Sequence, residues 1–504
     1  MAVVDQGDDT SSFSDDSEHQ ITRLSWGRII SISIFWFALN FHWAAIGTII
    51  LPSQVFKLVG PLHQGEALAT ILVPGAFVAL FTNPLWGLVS DRTRGRLARW
   101  GRRRPYIFIG TLINVAGLIW MAFAHDIPSL VIAYMVIQFS SNMAQAPFHA
   151  LLPDLVPTEQ RGLVSGIMGF LLIFGNVGGV LTAGLLVDAS KPLAQYQINL
   201  WLVYAIIITV LIVFMLITVL VVHERAAEVV EPLDSLAASS LQKSWRPAWL
   251  TRSTISTVAA TVMAALVVWG LALGWNFLRI GGIQISNDVI QVLLELVATV
   301  GILRLFDFRP RRNPDFAWVL FTRLLMMMGI YTIQTFLQYY MRDVVKVAHP
   351  EVQTSNFSIV VAVTSLISAV VVGWLSDRYG RKRMVYFSGG FMALVGLVFV
   401  IFHSLTIVLI AGAVFGLGFG AYQSVDWALV ADVLPSRQNY ARDMGVWNIA
   451  LSVPQIVAPV LGGPLLDTFA QHGQTVLGYQ VLFILAIIYC VLGTVTVRFI
   501  RLKR

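Results

Sequence analysis

Ionisable and hydrogen-bonding side chains inside long apolar runs are where this chain could do chemistry, because each costs several kcal/mol in hydrocarbon unless it faces protein or water. Asp426 is the sharpest case. It sits in Gln423-Ser424-Val425-Asp426-Trp427, about nine residues inside the end of an apolar stretch, too deep for so short a side chain to snorkel out. Burial destabilises a charged carboxylate, which suits Asp426 to loading and releasing a proton. The competing reading is a structural ion pair, with Arg323 as the partner across a cavity. His149 and His42 are further candidates for a proton relay.

Three polar and aromatic stripes surround that carboxylate in the linear reading. Gln138, Asn142, Gln145 and His149 fall within about 60° of one another on a helix. Arg323, Tyr331, Gln334 and Gln338 fall within about 80° on another. Trp36, Asn40 and Trp43 make the third, and Gln423 and Trp427 flank Asp426. Aromatic faces that stack on C–H surfaces, with amides and charges that bond hydroxyls, form a mixture suited to a sugar. The plainer alternative is hydrogen-bonded glue between helices and ordinary aromatic packing.

The elements that hold these residues are membrane helices. The chain has 504 residues, 57% apolar and 12% charged, and its mean hydropathy is +0.75, which excludes a soluble protein of this size. Apolar runs of spanning length recur at 27–52, 66–90, 105–125, 128–153, 161–188 and 197–222, and again at 315–342, 353–376, 384–403, 405–431, 441–468 and 476–498. Between the sets, 223–314 opens on a polar stretch and adds runs at 255–278 and 286–306. The second of these carries Asp288, Gln291 and Glu295 and could span or lie in the interface. The expected fold is therefore an all-α polytopic membrane protein of two pseudo-symmetric six-helix halves with a two-helix insert, twelve plus two spans. Residues 1–26 are expected as an acidic, disordered cytosolic tail, 27–222 and 315–504 as the halves, and 223–314 as linker plus insert. A β-barrel is excluded by the absence of alternation.

Other classes fall away on residue type. Cys490 is the lone cysteine, so neither a disulfide framework nor a Cys-based metal site can be built. There is no phosphate-binding Gly-x-x-x-x-Gly-Lys-Ser/Thr loop and no His/Glu metal motif, so no cofactor or metal is expected and no enzyme activity. The net charge of +7 is confined to loops between spans, which argues against nucleic acid. The first 22 residues are acidic and lack the basic start of a signal peptide, so the first apolar run is expected to remain as an anchor. The 91–104 loop holds seven Arg against one Asp, and Arg378, Arg381, Lys382 and Arg383 and the C-terminal Arg498, Arg501, Lys503 and Arg504 fall on the same side. The excess predicts cytosolic N- and C-termini, in a plasma membrane.

The two sets of runs are copies of each other. Gly87-Leu-Val-Ser-Asp91-Arg92 returns 286 residues later as Gly373-Trp-Leu-Ser-Asp377-Arg378, and Gln145 to Pro157 returns 278 residues later as Gln423 to Pro435. Two like-oriented six-helix halves are the architecture of a large transporter class that holds substrate between them near the midplane. The block Gly373-x-x-x-Asp377-Arg378-x-Gly380-Arg381-Lys382 resembles the signature loop of the major facilitator superfamily, and Gly87 to Pro105 is a longer version of it. That longer form, with Gln145-Ala-Pro-Phe-His-Ala-Leu-Leu-Pro-Asp154, is similar to the glycoside-pentoside-hexuronide and sucrose–proton symporter branch, although His149 stands where sucrose transporters place an Arg. The resemblance implies a proton-coupled symporter for a sugar or glycoside, and it implies a coupling role for Asp154.

Placement in the repeat gives a further set. Asp154 and Asp432 occupy equivalent positions, followed by Arg161 and Arg442; with Asp91, Arg92, Asp377 and Arg378 they are expected to form a cytosolic gate of ion pairs and helix caps that breaks as the halves rock. The expected partners are a small solute, protons and the lipid bilayer, with the chain working as a monomer. The alternative function is a proton-driven exporter of amphipathic compounds, which the fourteen-span count and Met326, Met327 and Met328 would suit.

Overall fold

The computed structural model describes residues 24–91, 93, 100–157, 160–222, 252–278, 287–305, 308–433 and 440–501. These residues fold into fourteen long helices. The first half holds α1 (Trp26–Val59), α2 (Gln64–Asp91), α3 (Arg104–Phe123), α4 (Ile127–Leu155), α5 (Arg161–Leu186) and α6 (Leu193–Val221). The insert holds α7 (Arg252–Leu278) and α8 (Asn287–Leu305), and the second half holds α9 (Pro314–Asp343), α10 (Pro350–Tyr379), α11 (Arg381–Ile401), α12 (Leu405–Val433), α13 (Tyr440–Gln471) and α14 (Thr475–Thr496). Eleven helical segments are long and apolar enough to cross a bilayer, and the molecule is a multi-pass membrane protein. The acidic tail expected over 1–26 falls almost wholly outside the described residues, as does the polar start of the linker.

Local sequence explains where the helices begin and turn. Prolines open α3, α4, α9 and α10 in the first turn, where a missing N–H costs nothing. Asp126 caps α4 by accepting from the Ser129 amide at 2.8 Å. Gly380, at φ +91°, makes the short turn between α10 and α11 that an L side chain would strain. Helix α1 carries a π-turn at Ile46–Ile50, and Pro454, Pro459 and Pro464 interrupt the hydrogen-bond ladder inside α13.

The internal repeat is visible in how the helices pack. In the first half α1 packs on α5 and α6, α4 on α2 and α3, and α3 on α6; in the second half α9 packs on α13 and α14, α12 on α10 and α11, and α11 on α14. Adding eight to each first-half label gives the second-half pairing, as a pseudo-two-fold requires. The two halves meet along two seams, α2 with α13 and α5 with α10, which the same operation exchanges. Glycines allow the close approaches. Gly175 and Gly179 of α5 lie against the α1 backbone at Phe37 and Phe41, and Gly416 and Gly420 of α12 lie against the α10 backbone at Val361 and Ser365.

The insert docks on one seam. Helix α7 packs on α8, and α8 packs on α13, with Val292 against a small cluster of Val73, Ile456 and Val460. Within the 286–306 run, Asn287–Leu305 is thus a helix packed on the body of the protein.

Candidate substrate and proton site

With seams at α2–α13 and α5–α10, the helices α1, α4, α9 and α12 carry the polar stripes between them. The most buried charge on these helices is a pair: Arg323 of α9 forms an ion pair with Asp426 of α12, each side chain only 3% exposed. Tyr422, one turn before Asp426, donates its hydroxyl to the same carboxylate at 3.2 Å. The Arg323 guanidinium lies 3.5 Å over the ring of Trp447 on α13, so the cation is neutralised on one side and stacked on the other. Both readings of Asp426 start from this arrangement. An ion pair out of water is held together only while both partners are charged, so a proton on Asp426 would release Arg323.

The first-half stripes gather around an aromatic corner. Trp36 stacks on Phe148 at 6.3 Å and meets the ring edge of His149 at 4.7 Å, and His149 is exposed. Trp43 donates to the Ser141 hydroxyl at 3.1 Å and packs edge-on against Tyr134. Gln138 donates to the Tyr134 hydroxyl at 3.1 Å, and Gln145 is half-buried. Asn40 and Asn142 turn their amides onto carbonyls of their own helices, Trp36 at 2.7 Å and Gln138 at 2.7 Å. His42 is fully buried beside Trp43, and among the described residues neither ring nitrogen has a hydrogen-bond partner.

The second-half stripe does not form one surface. Arg323 and Gln338 share a helix face but stand about 22 Å apart along the axis at 1.5 Å per residue. Arg323 joins the buried pair, Tyr331 accepts from the exposed Gln455 of α13 at 2.6 Å, and Gln334 is exposed. Gln338 is buried at the far end, where its amide nitrogen donates to Glu351 at 3.3 Å and its amide group lies against the π-turn carbonyls of Thr48 and Ile49. Angular coincidence selected the face and ignored depth. The half-buried Gln423 has an amide oxygen with no partner among the described residues.

Of the gate candidates, Asp154 pairs with Arg102 at 2.8 Å and Arg103 at 3.1 Å, and Arg103 also donates to Ser90 at 2.7 Å. All of these belong to the first half. Arg378 is exposed and stacks on Trp374 of its own helix at 4.1 Å. Arg92 lies outside the described residues, as do the side chains of Asp91, Arg161, Asp377, Trp427, Asp432 and Arg442.

The hydrogen bonds between the halves gather instead at the opposite end, away from both termini. Asp467 of α13 accepts from the backbone amides of Gly65 at 3.0 Å and Glu66 at 2.7 Å, capping the N-terminus of α2 from the other half. Asp343 accepts from Gln64 and from Tyr479, both at 2.7 Å. Glu351 is fully buried and accepts from Ser53 at 3.1 Å and the Ala189 amide at 3.3 Å, with Arg342 at 3.5 Å. His349 reaches Asp188 at 3.0 Å. Burial pushes the Asp188 carboxyl upward, but the Ser190 hydroxyl and amide and the His349 imidazole outweigh it and hold the group below its usual value. The sequence reading missed this network, because acidic residues near helix ends look like ordinary loop polarity. The signal available was their number at one end: Asp188, Asp343, Glu351 and Asp467 all flank short connections on that side.

Comparison with known proteins fits this architecture. The curated sucrose transport protein SUT1 of Oryza sativa subsp. japonica is 25% identical over 179 residues, covering 31% of this chain and 32% of that protein. The multidrug resistance protein Stp of Mycobacterium tuberculosis is 31% identical over 133 residues, 25% of each. The chain therefore spans about a third or less of these relatives' length. An auto-inhibited peptide transporter of the POT family superposes with a TM-score of 0.66 at 14% identity, over 94% of this chain and 98% of that one. The family model described as Major Facilitator Superfamily matches residues 23–306 and 319–504, and with both halves matched and their helix pairing repeated, the chain belongs to that superfamily of membrane transporters.

Proposed function

We propose that the protein is a proton-coupled secondary transporter that moves a small polar solute, with a sugar or glycoside as the substrate class, by rocking its two halves about a central site. The observation that carries this reading is the buried Arg323–Asp426 pair beside Tyr422 and Trp447. Protonation of Asp426 cancels the pair and frees a guanidinium that can bond hydroxyls, which links proton and substrate at one place. Trp36, Trp43 and His149 across the gap supply aromatic faces and a hydrogen-bonding ring for a sugar, and a sucrose transporter is among the similar proteins. The Arg-rich loops favour termini in the cytosol, which makes the far end, held by Asp188, Asp343, Glu351 and Asp467, the extracellular one. On that reading Asp154, paired with Arg102 and Arg103, belongs to the cytosolic gate, and residues 27–222 and 315–504 are the rocking units.

The test is uptake of labelled mono- and disaccharides into proteoliposomes under an imposed inward proton gradient, comparing the wild type with Asp426→Asn. Gradient-dependent uptake that Asp426→Asn abolishes in a folded protein supports the reading; no uptake of any sugar overturns the substrate class. The second reading, proton-driven export of amphipathic compounds, rests on the similarity to Stp, and gradient-driven dye efflux without sugar uptake would favour it.

A further inference from the structure

Between α7 and α8 of the insert lies a cavity of about 630 Å³. Its walls change chemistry along their length. Ala260, Ala264 and Val268 face Leu293, Val297 and Val300 across it, at the three- and four-residue spacings that keep each set on one helix face. At one end Ser256 and Thr257 add hydroxyls and Arg304 adds a guanidinium. Arg304 is exposed, and among the described residues no acidic side chain pairs with it. Arg309, Arg311 and Arg312, all exposed, follow directly. From Ser256 to Val268 the groove runs about 18 Å, the depth of one leaflet of a ~30 Å hydrocarbon core. Its floor is closed where Gly301 meets Thr261.

We infer that this groove is a binding site for one anionic membrane phospholipid, with its phosphate at Arg304, Ser256 and Thr257 and an acyl chain along the apolar track. Charge selects the headgroup: a guanidinium sits at the polar end, and among the described residues no carboxylate lines the groove to pair with the amine of a zwitterionic lipid. The track is too apolar for a polar solute. Because α8 packs on α13 beside the α2–α13 seam, the lipid would sit one helix away from the line along which the halves meet.

The full chain in mild detergent, titrated with phosphatidylglycerol or phosphatidylcholine of identical chains and read by native mass spectrometry, tests the site. Phosphatidylglycerol is expected to be retained about five-fold more than phosphatidylcholine, the effect of one basic side chain at an anionic surface. Arg304→Gln should bring the two lipids level, and Val297→Trp should fill the track and lower both. Equal retention by the wild type overturns the proposal, as does an anionic preference that survives Arg304→Gln or retention of both lipids unchanged by Val297→Trp. Unchanged elution and melting temperature show that each variant is folded, and Ala264→Leu narrows the same track if the tryptophan is not accepted.

Discussion

At the scale of single residues, the Arg323–Asp426 pair separates a structural role from a coupling role. Removing one member of a buried pair leaves the other charge unpaired, at about 3–5 kcal/mol, whereas replacing both with apolar groups of similar size is often near neutral. Asp426→Ala should therefore lower the melting temperature by several degrees, and the double variant Arg323→Met with Asp426→Leu should recover most of that loss. Uptake should stay abolished in both. Recovery of transport along with stability would reduce the pair to scaffolding. At the far end, Asp188 gives a pH dependence with a definite sign. Its carboxyl is held below the usual value by Ser190 and His349, so its contribution is fully present above about pH 4 and is lost as the pH falls through the depressed native value. In a His349→Gln background, which keeps the Ser190 donors, a spin-label distance across the α5–α10 seam should stay constant from pH 7 to pH 5 and lengthen only in stronger acid. Lengthening already at pH 6 would contradict this assignment.

At the scale of elements, the helices were legible and their meeting points were not. The apolar runs at 315–342 and 476–498 reappear as α9 (Pro314–Asp343) and α14 (Thr475–Thr496), because a bilayer fixes the length of a span and Pro, Gly and charge mark its ends. Both copies of the Gly-x-x-x-Asp-Arg block close helices, α2 and α10. The π-turn at Ile46–Ile50 had no such mark, and the cross-half cap on α2 could not be read locally, since Asp467 lies about four hundred residues from Gly65 and serves a helix in the other half. The buried pair was nameable because an Arg and an Asp inside hydrocarbon have few possible partners. Gly65 and Gly463 abut across the seam, so that a Cβ on either would strike the other's backbone. Gly463→Val should therefore wedge the far end open, raising the labelling rate of a cysteine placed at Gln64. Asp467→Ala removes a helix cap worth about 1 kcal/mol and should move the ratio of open to closed far ends by about five-fold. If neither variant changes labelling, this seam does not set the state.

At the scale of the whole molecule, two seams exchanged by one pseudo-two-fold leave little freedom in how the halves can move. Helix pairs within a half pack through glycine contacts against backbone along their length, such as Gly175 on Phe37 and Gly420 on Ser365, whereas among the described residues the hydrogen bonds and the close glycine approaches between the halves, Gly65 on Gly463 and Gly184 on Ser355, gather at the far end. Packed interiors resist deformation and polar contacts exchange readily with water, so motion should concentrate at the seams and leave each half rigid. Rocking about the centre then requires the two ends to move in opposition: opening the far end closes the end that bears the termini. The variant that combines Asp467→Ala with Glu351→Gln strips the far end of a carboxylate cap and a buried negative charge while touching nothing near Arg323 or Asp426. With the lone Cys490 replaced by Ala, spin-label pairs across each end should report the far-end distance lengthening and the terminal-end distance shortening by comparable amounts, while a pair within the first half stays fixed. A far end that opens with no answering closure would mean that the seams move independently, and the molecule would be gated at each end without rocking.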